Sequence, residues 1–412
     1  MTQWRLNQLA VIISAGFIFG GFTLILPFLP LYIQMLGVQS PSQAALWAGI
    51  VLGVSPLIAA LIGPLWGRLA DRVGLKIMAI RITLALALIW ILTAYAQNVW
   101  HLFFLRLLLG VLGGFNAFSI ALATQLTPQD RVGKTIGTLH AVQIISTAVG
   151  PFFGGMLAGL IGIRRTFIVT GFLCLLSLFL FVLIYRDKER SALPEKPLET
   201  QPSGHLSFKE LMQLQNLMPL AAVLFLITVI DRSFSPVIPL FVVALVKTPL
   251  QAARMAGLII SMASAAESFA AWYSGRKIVS APPKRFLLTR LLCGGLVCAV
   301  LTFAASVNQL LFLRVLLALL AGGTLTIAYT LASQVIPEKD RAAAFGLLSS
   351  FSMFGGAIGP LLGGFLASIN IRWMFTANAM IYGILVILVL KFFRPVQELT
   401  KSELPLSFIE GS

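Results

Sequence analysis

Residues 106–114 read RLLLGVLGG, and residues 314–323 read RVLLALLAGG. Each stretch sets an arginine inside an apolar run that ends on a glycine pair, and an offset of about 208 residues relates them. The correspondence extends outward in both directions. Pro27 and Pro30 match Pro236 and Pro239, and the segment from Pro128 to Arg131 matches that from Pro337 to Arg341. Gly150-Pro151 matches Gly359-Pro360, and Arg164 and Phe167 match Arg372 and Phe375. The chain is a tandem duplication, so whatever fold one copy adopts the other repeats.

The solvent of that fold follows from composition. Of 412 residues, 58% are hydrophobic and 11% charged, with a mean hydropathy of +0.94, whereas an ordinary soluble domain is about 25% charged. A bilayer core about 30 Å thick takes roughly 20 apolar residues per helical crossing. Twelve such runs are expected, at 8–35, 44–66, 78–96, 101–124, 136–160, 166–185, 217–246, 252–274, 286–306, 309–332, 344–368 and 373–393. The first is too long for the core of a cleavable signal peptide and is expected to stay as a span. Residues 186–214 hold Arg186, Asp187, Lys188, Glu189, Arg190, Pro194, Pro197 and Pro202, the composition of a solvated linker. The expected organisation is a six-helix bundle over 1–185, the linker 186–214, a second bundle over 215–393 and a tail 394–412. Six spans duplicated in parallel give two bundles related by an axis along the membrane normal, an all-α membrane fold.

The net charge of +16 does not indicate nucleic-acid binding, because the basic residues sit in short loops between apolar runs and form no groove interleaved with aromatics. Loops on the amino-terminal side, with both tails and the adjoining span ends, hold 22 of the 30 Lys and Arg residues, the opposite loops with theirs 5 and the span interiors 3. That asymmetry predicts cytoplasmic termini, although Arg164 and Arg165 fall on the other side. Cys174, Cys293 and Cys298 lie inside apolar segments without metal-ligand spacing, and His101, His140 and His205 sit among no metal ligands.

Gly67-Arg-Leu-Ala-Asp71-Arg72-Val-Gly74-Leu-Lys76 follows the second span. Its glycines permit a tight turn, its carboxylate can cap a helix or pair with a base, and its cations keep the segment in the cytoplasm; an ordinary basic turn is the plain alternative. Gly275-Arg276 and Lys284 recur in the second copy, but Val279 stands where Asp71 would. Arg106 and its duplicate Arg314 lie within spans, where an arginine faces protein or water, or snorkels toward the membrane surface. In the fifth span Gly137, Ser146, Gly150-Pro151 and Gly154-Gly155 form a spaced series of small residues, repeated in the eleventh as Gly346, Gly355, Gly359-Pro360 and Gly363-Gly364. Small residues let helices pack closely, and proline bends them.

These motifs identify the chain as resembling the major facilitator superfamily over nearly its whole length. The Gly67 to Lys76 stretch resembles the family's signature loop between helices two and three, departing at Leu75, where a basic residue is usual. The resemblance implies a gate latch: Asp71 would engage a neighbouring helix in the outward-facing state, and Arg72 and Lys76 would meet cytoplasmic charges. Arg106 through Gly114 is similar to the family's motif around an arginine implicated in proton coupling. The glycine and proline series resembles that of the antiporter branches, with Ser146 in place of one glycine. Spans one, four, seven and ten line the cavity in this superfamily, which nominates Thr23, Asn116, Ser119, Ser233, Ser235, Thr324 and Tyr329, each of which can instead bond to its own helix backbone.

Only two of the fourteen acidic residues fall within the expected spans, Asp231 in the seventh and Glu267 in the eighth. A buried carboxylate can take up a proton through one gate and release it through the other, or it can belong to a static ion pair, with Arg106 as a candidate partner. No nucleotide loop, nucleophile triad or metal cluster is present in the sequence, so no enzyme activity and no cofactor are expected, and an ion gradient is the expected energy source. The expected function is proton-coupled antiport that exports amphipathic organic compounds or drugs. Symport or facilitation of a sugar, organic acid or siderophore, and a non-transporting membrane sensor, are the alternatives. The expected partners are a small-molecule substrate, protons and membrane lipid; the functional unit is a single chain in the bacterial inner membrane.

Overall fold

The computed structural model describes residues 3–127, 131–185, 217–246, 248–278, 282–336 and 341–393. The expected linker 186–214 and tail 394–412 lie outside these, as do Pro128, Asp130, His205 and Val279. Every regular element among the described residues is a helix, and they form twelve crossings. In the first half these are α1 (Gln3–Leu24, continued by Leu29–Met35), α2 (Pro41–Val73), α3 (Leu75–Ala94), α4 (Val99–Leu112 and Phe115–Leu126), α5 (Val132–Ile161) and α6 (Ile163–Ile184). The second half has α7 (Leu217–Leu245), α8 (Pro249–Lys277), α9 (Pro283–Leu301), α10 (Val307–Ala321 and Thr324–Val335), α11 (Arg341–Ile369) and α12 (Trp373–Phe392). Ten stretches are long and apolar enough to cross a membrane. The other two crossings fall short for visible reasons: α4 is split, and α9 carries Lys284, Arg285 and Arg290.

Three expected spans are not single helices. The first is interrupted by a turn over residues 25–28, beside Pro27. The fourth and tenth break at their glycine pairs, where Gly114 (φ +94°) and Gly323 (φ +78°) adopt left-handed backbone that a side chain would strain. The stretch from Gly67 to Lys76, read as a loop, is mostly helix. α2 runs on through Val73, Gly74 alone makes the turn at φ +89°, and α3 starts at Leu75. Within each half consecutive crossings are antiparallel and joined by short connections, and the halves meet with Gly49 against Pro360, so Gln3 and Phe393 lie at the same end of the bundle, here called the terminal end.

The two halves meet along α2 against α11 and α5 against α8. Where they meet is set by glycine. A Cβ placed on Gly49 would stand 2.5 Å from the Pro360 carbonyl oxygen, and one on Gly53 2.7 Å from that of Ala357. Across the other seam, a Cβ on Gly155 would lie 2.4 Å from the Ala253 carbonyl oxygen and one on Gly257 2.4 Å from that of Pro151. All of these sit toward the end opposite the termini. At the terminal end of the same helices, Gly63, Gly67, Gly137 and Gly346 have nothing within 4 Å of such a Cβ. The halves are therefore in backbone contact at the far end and apart at the terminal end.

Candidate transport site

Asp231 and Glu267 come together in the second half. Asp231 stands midway along α7, Glu267 on α8, Arg314 on α10 and Tyr382 on α12, and all four line one cavity of about 40 Å³ with Phe234 and the α10 break at Gly322–Thr324. At roughly 10–15 Å³ per water position, that space admits a few waters among polar partners. Arg314 Nη2 lies 3.6 Å from Asp231 Oδ1, and its guanidinium stacks 4.2 Å from the Phe234 ring centre. Arg232 Nε is 3.7 Å from Asp231 Oδ2, with its side chain 56% exposed against 12% for Arg314. The buried partner of Asp231 is Arg314, the duplicate of the Arg106 considered from sequence. With both acids ionised, the cavity holds two negative charges against the one positive charge of Arg314. A single bound proton balances the groups that line the cavity, and Arg232, outside that lining, adds a second positive charge beside Asp231.

The first half keeps the arginine and lacks the acids. Arg106 is buried, its guanidinium lies 4.7 Å from the Trp90 ring centre, and its Nε and Nη2 have no hydrogen-bond partner. Cation–π attraction to Trp90 is what holds it. Ser55 Oγ donates to the Arg106 carbonyl at 2.6 Å, fixing the helix around it. With the proline pairs as a ruler, position 231 falls opposite Phe22, which packs edge-on against Trp90 at 6.0 Å.

A second arginine pair escaped the sequence reading, which counted Arg81 and Arg290 with the loops. Both lie inside helices, α3 and α9. Arg290 Nη1 donates to the carbonyls of Leu319 (2.7 Å), Leu320 (3.1 Å) and Gly322 (3.2 Å), the groups left open by the α10 break. Arg81 instead stacks 3.5 Å from the Trp66 ring centre, with Nε, Nη1 and Nη2 unpartnered, and the Trp66 indole donates to the Val111 carbonyl beside the α4 break.

The glycine and proline series serves two seams at once. Cβ atoms on Gly150 and Gly154 would strike Thr23 and the Leu24 carbonyl of α1, while Gly155 faces α8. In the second half, Gly355, Gly359 and Gly363 lie against Phe225, Val229 and Ser233 of α7, and Gly364 against Ala45 and Gly49 of α2. Pro151 and Pro360 each stand inside a continuous helix.

Of the polar cavity candidates, Thr23 is buried and its hydroxyl bonds to the Ser146 carbonyl at 2.8 Å, which joins α1 to α5. Ser233 pairs with Asn378 of α12, whose Nδ2 donates to its Oγ at 3.0 Å. Thr324 lines the charged cavity and donates to the Ala321 carbonyl at 2.6 Å. Tyr329 stacks on Phe345 with ring centres 6.0 Å apart. Ser119 borders a small cavity in the first half with Ser14 and Thr83, Ser235 is half-buried on α7, and Asn116 opens the second segment of α4. Among the gate residues, Arg72 is exposed and Asp71 falls in the last turn of α2. Lys76 sits 5.8 Å from the Tyr185 ring at the end of α6. Its counterpart Lys284 donates to the Leu390 and Phe393 carbonyls at the end of α12.

Two six-helix bundles, touching at one end and enclosing a charged cavity within the membrane, define a transporter of the alternating-access class. The chain belongs to the Major Facilitator Superfamily, whose family model matches residues 11–307 and 253–408. It is 32% identical over 385 residues to the multidrug resistance protein MdtG of Dickeya zeae, covering 92% of each chain. To MdtG of Escherichia coli O6:K15:H31 it is 30% identical over 378 residues, covering 91% of this chain and 90% of that one. In fold it is similar to a bacterial homologue of the human lysosomal transporter Spinster in an inward-facing, occupied conformation, with TM-score 0.79, 15% identity and coverage of 97% and 98%. The nucleoside transporter NupG matches with TM-score 0.72, 13% identity and coverage of 96% and 100%.

Proposed function

We propose that this chain is a proton-coupled antiporter of the bacterial inner membrane that exports amphipathic drug-like compounds. The similarity to MdtG over nine-tenths of both chains supports the export of such compounds. What carries proton coupling is one arrangement: Asp231 and Glu267 share a small cavity with Arg314, the cation that lines it among the described residues. Each proton bound or released changes the charge of this cluster by one, and with it the charge that the membrane must accommodate. With the termini in the cytoplasm, as the basic loops favour, the observed state is inward-open: substrate enters from the terminal end while the glycine seams close the far end. A single chain suffices for this cycle, since both gates and the charged cluster lie within it. No step calls for an enzyme's chemistry.

The test is substrate-driven proton movement in proteoliposomes at matched protein amounts. The double variant Asp231→Asn with Glu267→Gln is expected to abolish uphill exchange and its pH dependence while downhill movement of substrate survives. Undiminished proton exchange by that variant would overturn the reading.

A further inference from the structure

The two seams at the closed far end are built from the same repeated face, and they differ at one position. On α2 the face reads Ala45, Gly49, Gly53; on α8, by the same offset, it reads Ala253, Gly257, Ser261. Residues four apart on a helix lie on one side, so each trio meets the opposite half. At the α2 seam, Gly53 admits the Ala357 carbonyl and the Leu361 side chain, both within 2.8 Å of where a Cβ would stand. No side chain fits there. At the α8 seam, Ser261 carries a hydroxyl, is 7% exposed, and accepts a hydrogen bond of 2.8 Å from the backbone N–H of Phe152. Phe152 follows Pro151, the residue whose ring removes a helix donor and bends α5. The bond therefore ties the bend of the glycine and proline helix to the other half of the molecule.

A serine side chain is too short to reach an amide on another helix unless the backbones nearly touch, and here they do. One turn away from Ser261, a Cβ on Gly257 would lie 2.4 Å from the Pro151 carbonyl oxygen and 3.3 Å from the Gly155 Cα. Opening the far end separates α5 from α8 and breaks the bond; closing it restores the bond. We infer that Ser261 is a positioning residue of the transport cycle, whose hydroxyl holds the far end closed by engaging the Phe152 amide, and that the α2 seam has no equivalent. The inference rests on the alternating-access reading of the transporter, but not on proton coupling or on any particular substrate.

A neutral hydrogen bond of this kind biases an equilibrium by roughly three- to tenfold. The experiment measures the distance between spin labels on Tyr95→Cys and Phe303→Cys in lipid nanodiscs, with Cys174, Cys293 and Cys298 replaced by Ala. Tyr95 and Phe303 are exposed, at 66% and 77%, and follow the far ends of α3 and α9. Ser261→Ala is expected to raise the ratio of long to short distances about three- to tenfold, and Ser261→Thr, which keeps the hydroxyl, to stay near the parent. An unchanged distribution in Ser261→Ala overturns the inference. So does an equal shift in both variants, which would assign the effect to packing. Failure of the antiport reading appears only in the proteoliposome assay and leaves the distances untouched.

Discussion

The two halves share a scaffold and differ in chemistry. Both keep an arginine midway along a helix segment that ends on a glycine pair, and both run a glycine and proline helix between their own first helix and the opposite half. In the second half the arginine meets Asp231 across a cavity shared with Glu267. In the first, the arginine lies over the face of Trp90, with Nε and Nη2 unpartnered among the described residues. Duplication fixed the mechanical parts twice, because the gates need matching surfaces on both sides. The carboxylate pair exists in one copy, and under the proposed proton coupling a second acid in the first half would change the charge moved per cycle.

The shared scaffold makes the largest prediction. Gly154→Val and Gly363→Val place a side chain 1.8 Å and 2.3 Å from the carbonyls of Leu24 and Ser233, and both are expected to abolish the monodisperse peak in detergent size exclusion. Survival of either would show that its helix can move aside and that the two scaffolds are not equivalent. Next comes the contrast in chemistry. Arg314→Met leaves Asp231 without its buried partner and is expected to lower the thermal midpoint by about 3 to 6 °C, the equivalent of roughly 3 to 5 kcal/mol in a chain of this size. Arg106→Met removes a buried charge that has no counter-ion and is expected to leave the midpoint unchanged or raise it. Equal losses at the two positions would dissolve the contrast. A smaller difference is expected at the second pair, where Arg290→Gln frees three carbonyls and costs about 2 kcal/mol while Arg81→Gln costs less; the same thermal assay ranks them. Smallest of all, Gly137→Ala and Gly346→Ala meet open space and are expected to leave the midpoint of the observed state unmoved.

Twelve crossings and their duplication were legible because hydropathy and a fixed offset are properties of the chain itself. Arg106, Arg314, Asp231 and Glu267 stood out for the same reason, as charges inside apolar runs. Their partners did not, since helix packing decides them: Asp231 reaches Arg314 within its own half, and no spacing in the sequence distinguishes that from Arg106. Arg81 and Arg290 were hidden by position, close enough to basic loops to be counted with them. The breaks in α4 and α10 were visible as glycine pairs, but only the left-handed backbone of Gly114 and Gly323 shows that those pairs interrupt the helix. Thr23 looked like a cavity hydroxyl, yet its bond to the Ser146 carbonyl makes it part of a helix seam. The comparison that would have singled out Ser261 was available in the repeat, where it stands in register with Gly53.

The residues in backbone contact at the far end, Gly49, Gly53, Gly155, Gly257, Ala253 and Ala357, have no rotamers to lose. A gate built from lysines or leucines would have to freeze each side chain on closing and release it on opening, at up to about 2 kcal/mol apiece for the longest. Here these glycines and alanines gain no order when the face shuts, and Ser261 and Leu361 are the side chains left to fix. Closure of the far end should then be nearly athermal so far as these side chains are concerned, with the temperature dependence of turnover arising elsewhere, in lipid and in the water that fills and leaves the crevice.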